Sequence, residues 1–305
     1  MIQTVLVTGA YGFLGRHVAL VCAKAGYKVH GIGHGSWTSE QWREWGLSKW
    51  HSADVTQDSL ERYGGEPDLI IHCAGSGSVS FSISHPSEDF DRTVATAREI
   101  LEYARLCRPG VHVVFPSSAS VYGNAKQNPI SVTAPLQPIS PYGTHKLIVE
   151  ELSLSYAIHF NISVAIVRLF SIYGIGLKKQ LLWDACTKFS LGECNFGGSG
   201  HETRDWLHVE DAAQLLLTAG LDEHKNPLII NGATGVGVTT CHIINNIALS
   251  FGLADKVSFS GNTRPGDPLH LVADMSGFDE IKWKPSRNLD HELACYINWY
   301  RTEKS

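Results

Sequence analysis

A tyrosine and a lysine four residues apart offer acid–base chemistry near the middle of the chain. Tyr142 and Lys146 follow Ser140 and Pro141, and a serine N-cap with proline at the first helical position predicts a helix starting here. Residues i and i+4 share one face of a helix, so the Lys146 ammonium would favour the phenolate and lower the pKa of Tyr142. Such a tyrosine can act as a general acid or base near neutral pH, whereas the alternative is an incidental pair on a surface helix.

Ser118 is the third candidate catalytic residue. The apolar run 111–115 predicts a strand, and the polar segment 116–123, PSSASVYG, follows it directly. In a parallel sheet the carboxyl ends of the strands face the ligand crevice, so Ser118 would hydrogen-bond a substrate oxygen beside Tyr142. The alternative is a serine that serves only the turn.

A glycine-rich loop at the N-terminus is typical of a dinucleotide site. The predicted strand Thr4–Thr8 runs into TGAYGFLG, and a predicted helix covers residues 13–25. Glycines at this spacing allow a tight turn, close approach of a pyrophosphate and close packing of helix on strand, while free helix N–H groups face the phosphates. A glycine-rich turn without a ligand is the alternative. The expected cofactor contacts from this loop are Gly9, Tyr11, Gly12, Phe13, Leu14 and Gly15.

The end of the second predicted strand, residues 28–32, bears on the choice of cofactor. A site for NAD places an acid here to accept from the ribose 2′-hydroxyl, and this stretch has none. The sequence therefore favours NADP(H), with NAD as the alternative, and His34, Ser36 or Arg43 could contact the 2′-phosphate. Asp54 is expected near the adenine, unless it caps a helix.

The composition excludes several classes of protein. The chain has 305 residues, 43% of them hydrophobic and 18% charged, which is typical of a folded enzyme. A net charge of −5 argues against nucleic-acid binding. No apolar run is long enough for a membrane helix, and no secretion signal is evident. Seven cysteines at scattered spacings, without a CxxC pair, predict free thiols in a reducing cytoplasm and no metal site.

Short β-branched runs alternate with helical stretches over the first half of the chain. This βαβ rhythm predicts an α/β fold, a Rossmann-type doubly wound parallel sheet. The rhythm loosens after about residue 170. We expect a dinucleotide-binding domain over 1–170 and a smaller C-terminal substrate-binding lobe over 171–305, which also returns strands to the main sheet.

In this order, the glycine loop, the strand-end serine and the Tyr/Lys pair resemble the extended short-chain dehydrogenase/reductases of the nucleotide-sugar epimerase/dehydratase branch. The likeness continues through RLFSIYG at 168–174, RDWLHVED at 204–211 and RPGD at 264–267. The resemblance implies Ser118, Tyr142 and Lys146 as the catalytic triad. It implies a nucleotide-diphosphate sugar as substrate, with Arg204 and Arg264 on the diphosphate, Asp267 near the nucleotide ribose and Ser171 among the substrate contacts.

Departures from the family pattern narrow the reaction. The 4,6-dehydratases of the family carry an Asp-Glu pair where this chain has Ala119 and Ser120, and the fucose-synthase-like enzymes carry a cysteine at position 120. The remaining chemistry is hydride transfer at one carbon, which we expect to be the reduction of a 4-keto-6-deoxy sugar at C4. The alternatives are a C4 epimerase that retains NAD and, in another class, a non-catalytic cofactor sensor.

Family resemblance also implies a homodimer through a four-helix bundle. The predicted helices 88–106 and Pro141–Phe160 would form it. Leu147, Leu154 and Ile158 have helical spacing on the second of these, although they could simply pack on the sheet.

Overall fold

The computed structural model describes residues 2–222, 227–262, 269–276 and 278–304. Its strands are β1 (Thr4–Thr8), β2 (Lys28–Gly33), β3 (Lys49–Ser52), β4 (Leu69–His72), β5 (His112–Ser118), β6 (Ser163–Leu169), β7 (Ser171–Tyr173), β8 (Asn195–Phe196), β9 (Thr203–His208), β10 (Leu228–Gly232), β11 (Gly237–Thr239), β12 (Ser258–Phe259) and β13 (His270–Leu271). Its helices are α1 (Phe13–Lys24), α2 (Ser39–Glu44), α3 (Gln57–Tyr63), α4 (Val79–Ser84), α5 (Pro86–Phe90), α6 (Thr96–Leu106), α7 (Pro141–Phe160), α8 (Gln180–Ser190), α9 (Val209–Leu221), α10 (Thr240–Phe251) and α11 (Leu289–Lys304).

The main sheet has seven strands in the order β10-β6-β5-β4-β1-β2-β3. Every neighbouring pair is parallel. The strands from β1 to β3 follow one another toward one edge of the sheet, and those from β4 to β10 follow one another toward the other edge, so the switch point lies between β1 and β4. This is the arrangement of a doubly wound Rossmann-type sheet, in which ligands bind at the carboxyl ends of the strands beside the switch point. The fold class expected from the sequence is confirmed.

Both faces of this sheet are covered, as its apolar strands require. Val5 and Val7 of β1 belong to a core formed with α1 and α9, whereas Leu6 belongs to a core formed with α3, α6 and α7. Since successive side chains of a strand point to opposite faces, one strand supplies both cores. All three of these residues are fully buried.

The smaller lobe is built around β9. This strand pairs with β7 and β13 in parallel and with β11 in antiparallel orientation. Helices α8, α10 and α11 enclose the lobe's own apolar core. The chain after residue 170 also returns to the main sheet, where β10 extends the edge beyond β6.

The helix expected over 88–106 is interrupted. A π-helical turn, Asp91–Ala95, lies between α5 and α6. A π turn inserts one residue into the helical repeat, and an apolar pattern with a period near 3.6 does not reveal such an insertion. π turns occur frequently at functional sites, and this one lies in the segment that packs against α7.

In the part of the chain that the structure describes, no helix combines the length and the apolar character needed to cross a bilayer.

Candidate functional site

The structure brings Ser118, Tyr142 and Lys146 together at the carboxyl end of β5. Ser118 is the last residue of that strand, and its hydroxyl is hydrogen-bonded to the Tyr142 phenol. Tyr142 lies in the first turn of α7, which Ser140 caps by accepting from the Gly143 N–H at 3.2 Å. The Lys146 ammonium lies 5.9 Å from the centre of the Tyr142 ring. The three expected catalytic side chains therefore lie together at this end of the sheet.

The electrostatics of Tyr142 differ from the expectation. Burial raises the pKa of the phenol above its usual range, the hydrogen bond with Ser118 opposes this, and the charge of Asp89 adds to the increase. The pKa of Tyr142 is therefore raised, whereas the sequence predicted a lowered one, because loss of solvation has the largest effect. Tyr142 thus rests as a protonated phenol, ready to donate.

Lys146 is held by the backbone of the strand that ends at Ser118. Its Nζ donates a hydrogen bond to the Pro116 carbonyl at 2.9 Å. Burial lowers the pKa of Lys146 to about 8, while Cys73, Asp89 and Glu150 act in the opposite direction. The ammonium is consequently charged at neutral pH and is sensitive to pH just above it.

The glycine loop forms a cradle at the N-terminus of α1. Gly12 is the N-cap and provides no side-chain acceptor, so the first N–H groups of the helix are available to an anion. A Cβ on Gly9 would lie 2.6 Å from the Ala74 nitrogen, and one on Gly15 would lie 2.2 Å from the Gly9 carbonyl oxygen. Only a backbone free of side chains fits here. Together with the N-terminal positions of Phe13 and Leu14, this cradle fits the pyrophosphate of a dinucleotide.

The Tyr11 side chain lies outside the cradle and packs against the loop after β2. Its ring centre lies 4.9 Å from that of Trp37 and 6.4 Å from that of Trp50. A Cβ on Gly35 would collide with the Tyr11 ring at 2.2 Å, so the glycine permits this packing. The aromatic cluster of Tyr11, Trp37 and Trp50 borders the side of the crevice where an adenosine would lie.

An acidic side chain does reach the loop after β2, although the sequence around this strand shows none. The sequence shows no acid after this strand, but the fold places the Asp54 carboxylate 2.5 Å from His34 Nε2. Because β3 pairs with β2, a residue twenty positions downstream reaches this loop. His34 therefore already has an anionic partner. A side chain on Gly33 would press on the Gly9 backbone, with its Cβ 3.1 Å from the Gly9 Cα.

Arg16 is a candidate cofactor residue that the sequence patterns missed. Its guanidinium lies 5.5, 5.6 and 5.3 Å from the ring centres of Tyr11, Trp37 and Trp45. Nε donates to the Gly12 carbonyl at 3.2 Å, and Nη2 donates to the Tyr11 carbonyl. Burial lowers the pKa of Arg16, and within the described ranges no carboxylate acts on it. Among the described residues Arg16 is thus a cation without an acidic partner, and it lies beside the glycine loop.

Besides Ser118, four substrate contacts are expected, and two of them lie on neighbouring strands of the smaller lobe. Ser171 begins β7 and is opposite Trp206 of β9, the strand that also carries Arg204. Arg204 donates from Nη1 to the carbonyls of Thr203 at 2.9 Å and Leu269 at 3.2 Å. The other two expected residues, Arg264 and Asp267, lie outside the described residues.

The positions that would support elimination carry no acid or base. Ala119 and Ser120 lie in a 3₁₀ turn directly after β5, and both are part of its short Ala119–Tyr122 segment. Ala119 is buried, and the Ser120 hydroxyl is a buried oxygen without a hydrogen-bond partner among the described residues. Neither side chain can remove or deliver a proton at neutral pH as a carboxyl group would.

The chain is similar over nearly its whole length to proteins of known family and structure. The model of the NAD dependent epimerase/dehydratase family matches residues 5–231. A putative UDP-glucose 4-epimerase of Methanocaldococcus jannaschii is 26% identical, over 97% of this chain and 98% of the relative. The structure of UDP-glucose 4-epimerase from Thermotoga maritima with UDP-glucose superposes with a TM-score of 0.88 at 22% identity, covering 99% of this chain and 100% of that one. MoeE5 in complex with UDP-glucuronic acid and NAD gives 0.86 at 25% identity, covering 99% of each chain.

Proposed function

Since the chain belongs to the NAD dependent epimerase/dehydratase family, we propose that it is a C4 epimerase of a nucleotide-diphosphate sugar. The observation that carries this proposal is the triad itself. The triad of Ser118, Tyr142 and Lys146 supplies the acid–base groups that accompany hydride transfer at an alcohol carbon. Elimination of water needs further acid and base groups, and Ala119 and Ser120 lack them. The names of the relatives, which are UDP-glucose 4-epimerases, support a UDP-hexose as the substrate.

The dinucleotide would lie on the N–H groups of Phe13 and Leu14, with Lys146 at its nicotinamide ribose. When bound, the cofactor supplies a hydride acceptor for the sugar carbon C4 and later a hydride donor to the opposite face. Tyr142 takes the C4 hydroxyl proton on Oη and returns it in the second half of the reaction, so no net proton is exchanged. Ser118 orients the sugar oxygen. Tyr142 has to enter this cycle as the phenolate, so the proton of its resting phenol first passes to solvent, and the Lys146 ammonium would stabilise the anion that remains.

A second candidate is the reduction of a 4-keto sugar with NADPH, and three observations favour it. Strand β2 ends at Gly33 and contains no acid, and Arg16 is a cation that has no acidic partner among the described residues. An arginine near this position accommodates the 2′-phosphate of NADP in Rossmann folds. A resting phenol on Tyr142 is also the species that donates a proton to a reduced ketone.

Cofactor affinities test the proposed role of Arg16. We expect Arg16→Met to weaken NADP⁺ binding about 10- to 100-fold more than NAD⁺ binding, the loss for a charged hydrogen bond. Arg62→Met, which alters an exposed arginine paired with Asp58 on α3, is the matched control. Equal losses for both cofactors would assign Arg16 a structural role only.

Mass spectrometry of the ligands released from the purified, denatured protein separates the two candidate functions. An epimerase retains its cofactor through many cycles, so we expect tightly bound dinucleotide in the purified protein. A reductase must release the oxidised cofactor at each turnover. Protein that arrives empty and consumes NADPH stoichiometrically with a 4-keto sugar nucleotide would establish the second candidate.

Further parts of the proposal concern substrate contacts and assembly. We propose that Ser171 and Arg204 contact the nucleotide sugar, with Arg264 and Asp267 as the remaining expected contacts. Arginine forks suit phosphate oxygens, which supports Arg204 at the diphosphate.

All seven cysteines are free thiols, which supports a reducing, cytoplasmic location. The homodimer through α6 and α7 is likewise proposed.

A further inference from the structure

Two hydrogen bonds attach the first turns of α7 to the segment Val79–Phe90, and the proposed mechanism uses neither. Ser82 Oγ accepts from the backbone N–H of Tyr142 at 3.0 Å. Asp89 Oδ2 lies 2.6 Å from His145 Nδ1, and because a carboxylate only accepts, the imidazole N–H donates. One anchor therefore holds the residue that carries the phenol, and the other holds the residue immediately before Lys146.

Burial of the Asp89 carboxylate at this position costs free energy of folding. Its accessible surface is 0%, and that of His145 is 9%. The other carboxylate oxygen, Oδ1, has no hydrogen-bond partner among the described residues, so His145 is the group that compensates for the burial. A buried carboxylate with one partner destabilises the fold relative to an apolar side chain of similar size. Its presence here therefore calls for a role beyond packing.

The charge of Asp89 reaches both members of the Tyr/Lys pair. It raises the pKa of Tyr142, where burial acts in the same direction and Ser118 opposes it. It also raises the pKa of Lys146, together with Cys73 and Glu150, against the larger effect of burial. Asp89 is thus the carboxylate that acts on both groups.

The geometry points to Asp89 and His145 as positioning residues, a pair that fastens the first turns of α7 to α5 and places one negative charge beside both Tyr142 and Lys146. Their positioning role depends on the proposed function only in that Tyr142 is taken as the acid–base group. The π-helical turn Asp91–Ala95 directly follows α5, and it also packs against α7.

A charge-neutral substitution tests the electrostatic part. Asp89→Asn keeps the shape and can still accept from His145, but it removes the charge. We expect Tyr142 to titrate at lower pH in Asp89→Asn, since removing a nearby negative charge favours the phenolate. The measurement is an ultraviolet titration of tyrosinate in the ligand-free protein, with the Tyr142→Phe signal subtracted. Asp91→Asn, an exposed aspartate on the adjoining π turn, is the matched control and should titrate as the wild type does.

A second pair of variants tests the positioning part and does not depend on Asp89→Asn folding. His145→Ala removes the donor, whereas His145→Asn places an amide N–H near the position of Nδ1. We expect kcat to fall about 10- to 100-fold in His145→Ala with KM nearly unchanged, and His145→Asn to recover most of it, because a displaced reacting group loses rate rather than affinity.

Unchanged titration of Tyr142 in a folded Asp89→Asn protein would overturn the electrostatic role. Equal kcat values for the Ala and Asn variants of His145 would overturn the positioning role. The titration requires no sugar substrate, so its failure is distinguishable from failure of the proposed epimerase activity.

Discussion

Tyr142 carries the chemistry of the site in its hydroxyl group, which makes the residue-scale prediction direct. Tyr142→Phe removes the proton donor while leaving the ring in place. We expect kcat to fall by about 10² to 10⁴, the usual contribution of a general acid, with cofactor affinity preserved. Tyr156→Phe on the same helix is the control, since its hydroxyl bonds Glu102 away from the site. Near-wild-type turnover by Tyr142→Phe would remove the residue from the mechanism.

Lys146 gives a prediction on stability and pH in the cofactor-free protein. Its pKa is lowered from 10.5 to about 8 by burial, so the folded state holds this proton less tightly than the unfolded state does. The buried ammonium thus destabilises the fold below pH 8, and this cost declines as the pH rises toward 10.5.

We therefore expect Lys146→Met to raise the free energy of unfolding by roughly 1–3 kcal/mol at pH 7, after allowing for the lost bond to the Pro116 carbonyl. The gain should shrink at higher pH. Denaturant titration at several pH values measures it, and a gain that grows with pH would show that the lysine is not desolvated as the structure indicates.

The residues that the sequence revealed differ from those it concealed in one physical respect. Tyr142 and Lys146 belong to one helical turn, so spacing alone places them together. Asp89 and His145 are 56 positions apart and meet only because α5 packs on α7. The pairing of His34 with Asp54 was hidden for the same reason. Arg16 follows the last glycine of the loop, but only the fold shows the three aromatic rings around it.

At the scale of elements, the cradle depends on the contact between Gly15 and the Gly9 carbonyl. A Cβ on Gly15 would lie 2.2 Å from that oxygen, whereas one on Gly12 would lie 3.1 Å from it. We expect Gly15→Ala to lower stability by about 1–3 kcal/mol and to abolish cofactor binding, because the backbone has to move. Thermal unfolding and cofactor titration of both alanine variants measure this. Gly12→Ala should be the less destabilised of the two, and the opposite order would contradict the described packing.

The alternation of strands and helices was predictable because each βαβ unit has its own apolar pattern and its own turns. The π turn after α5 was not, since it changes the register of a helix without changing its composition. The small lobe was predicted only coarsely. Its strands β8, β11, β12 and β13 have two or three residues each, too short for a periodic signal.

At the scale of the whole molecule, a substitution of Ile158 tests the proposed homodimer. Leu147 and Leu154 pack against the protein interior, as the alternative interpretation held, but Ile158 is 71% exposed on α7. We expect Ile158→Asp to convert the dimer to monomer without loss of folding, because a buried, unpaired charge is costly at an interface.

Leu191→Asp is the matched control, because Leu191 is 70% exposed on the smaller lobe. Light scattering with size-exclusion chromatography gives the mass of each variant. A wild-type chain that is monomeric at micromolar concentration would refute the dimer.

The proposed activity is hydride transfer from and back to one sugar carbon without net oxidation. Its most direct test incubates the purified protein in deuterium oxide with UDP-hexoses, without added cofactor, and follows the sugar by nuclear magnetic resonance. We predict that the C4 epimer of the substrate accumulates with its original protium at C4 and C5, because the hydride stays on the bound cofactor. A 4-keto-6-deoxy product that incorporates deuterium, or product formation only in proportion to added NADPH, would contradict the epimerase account.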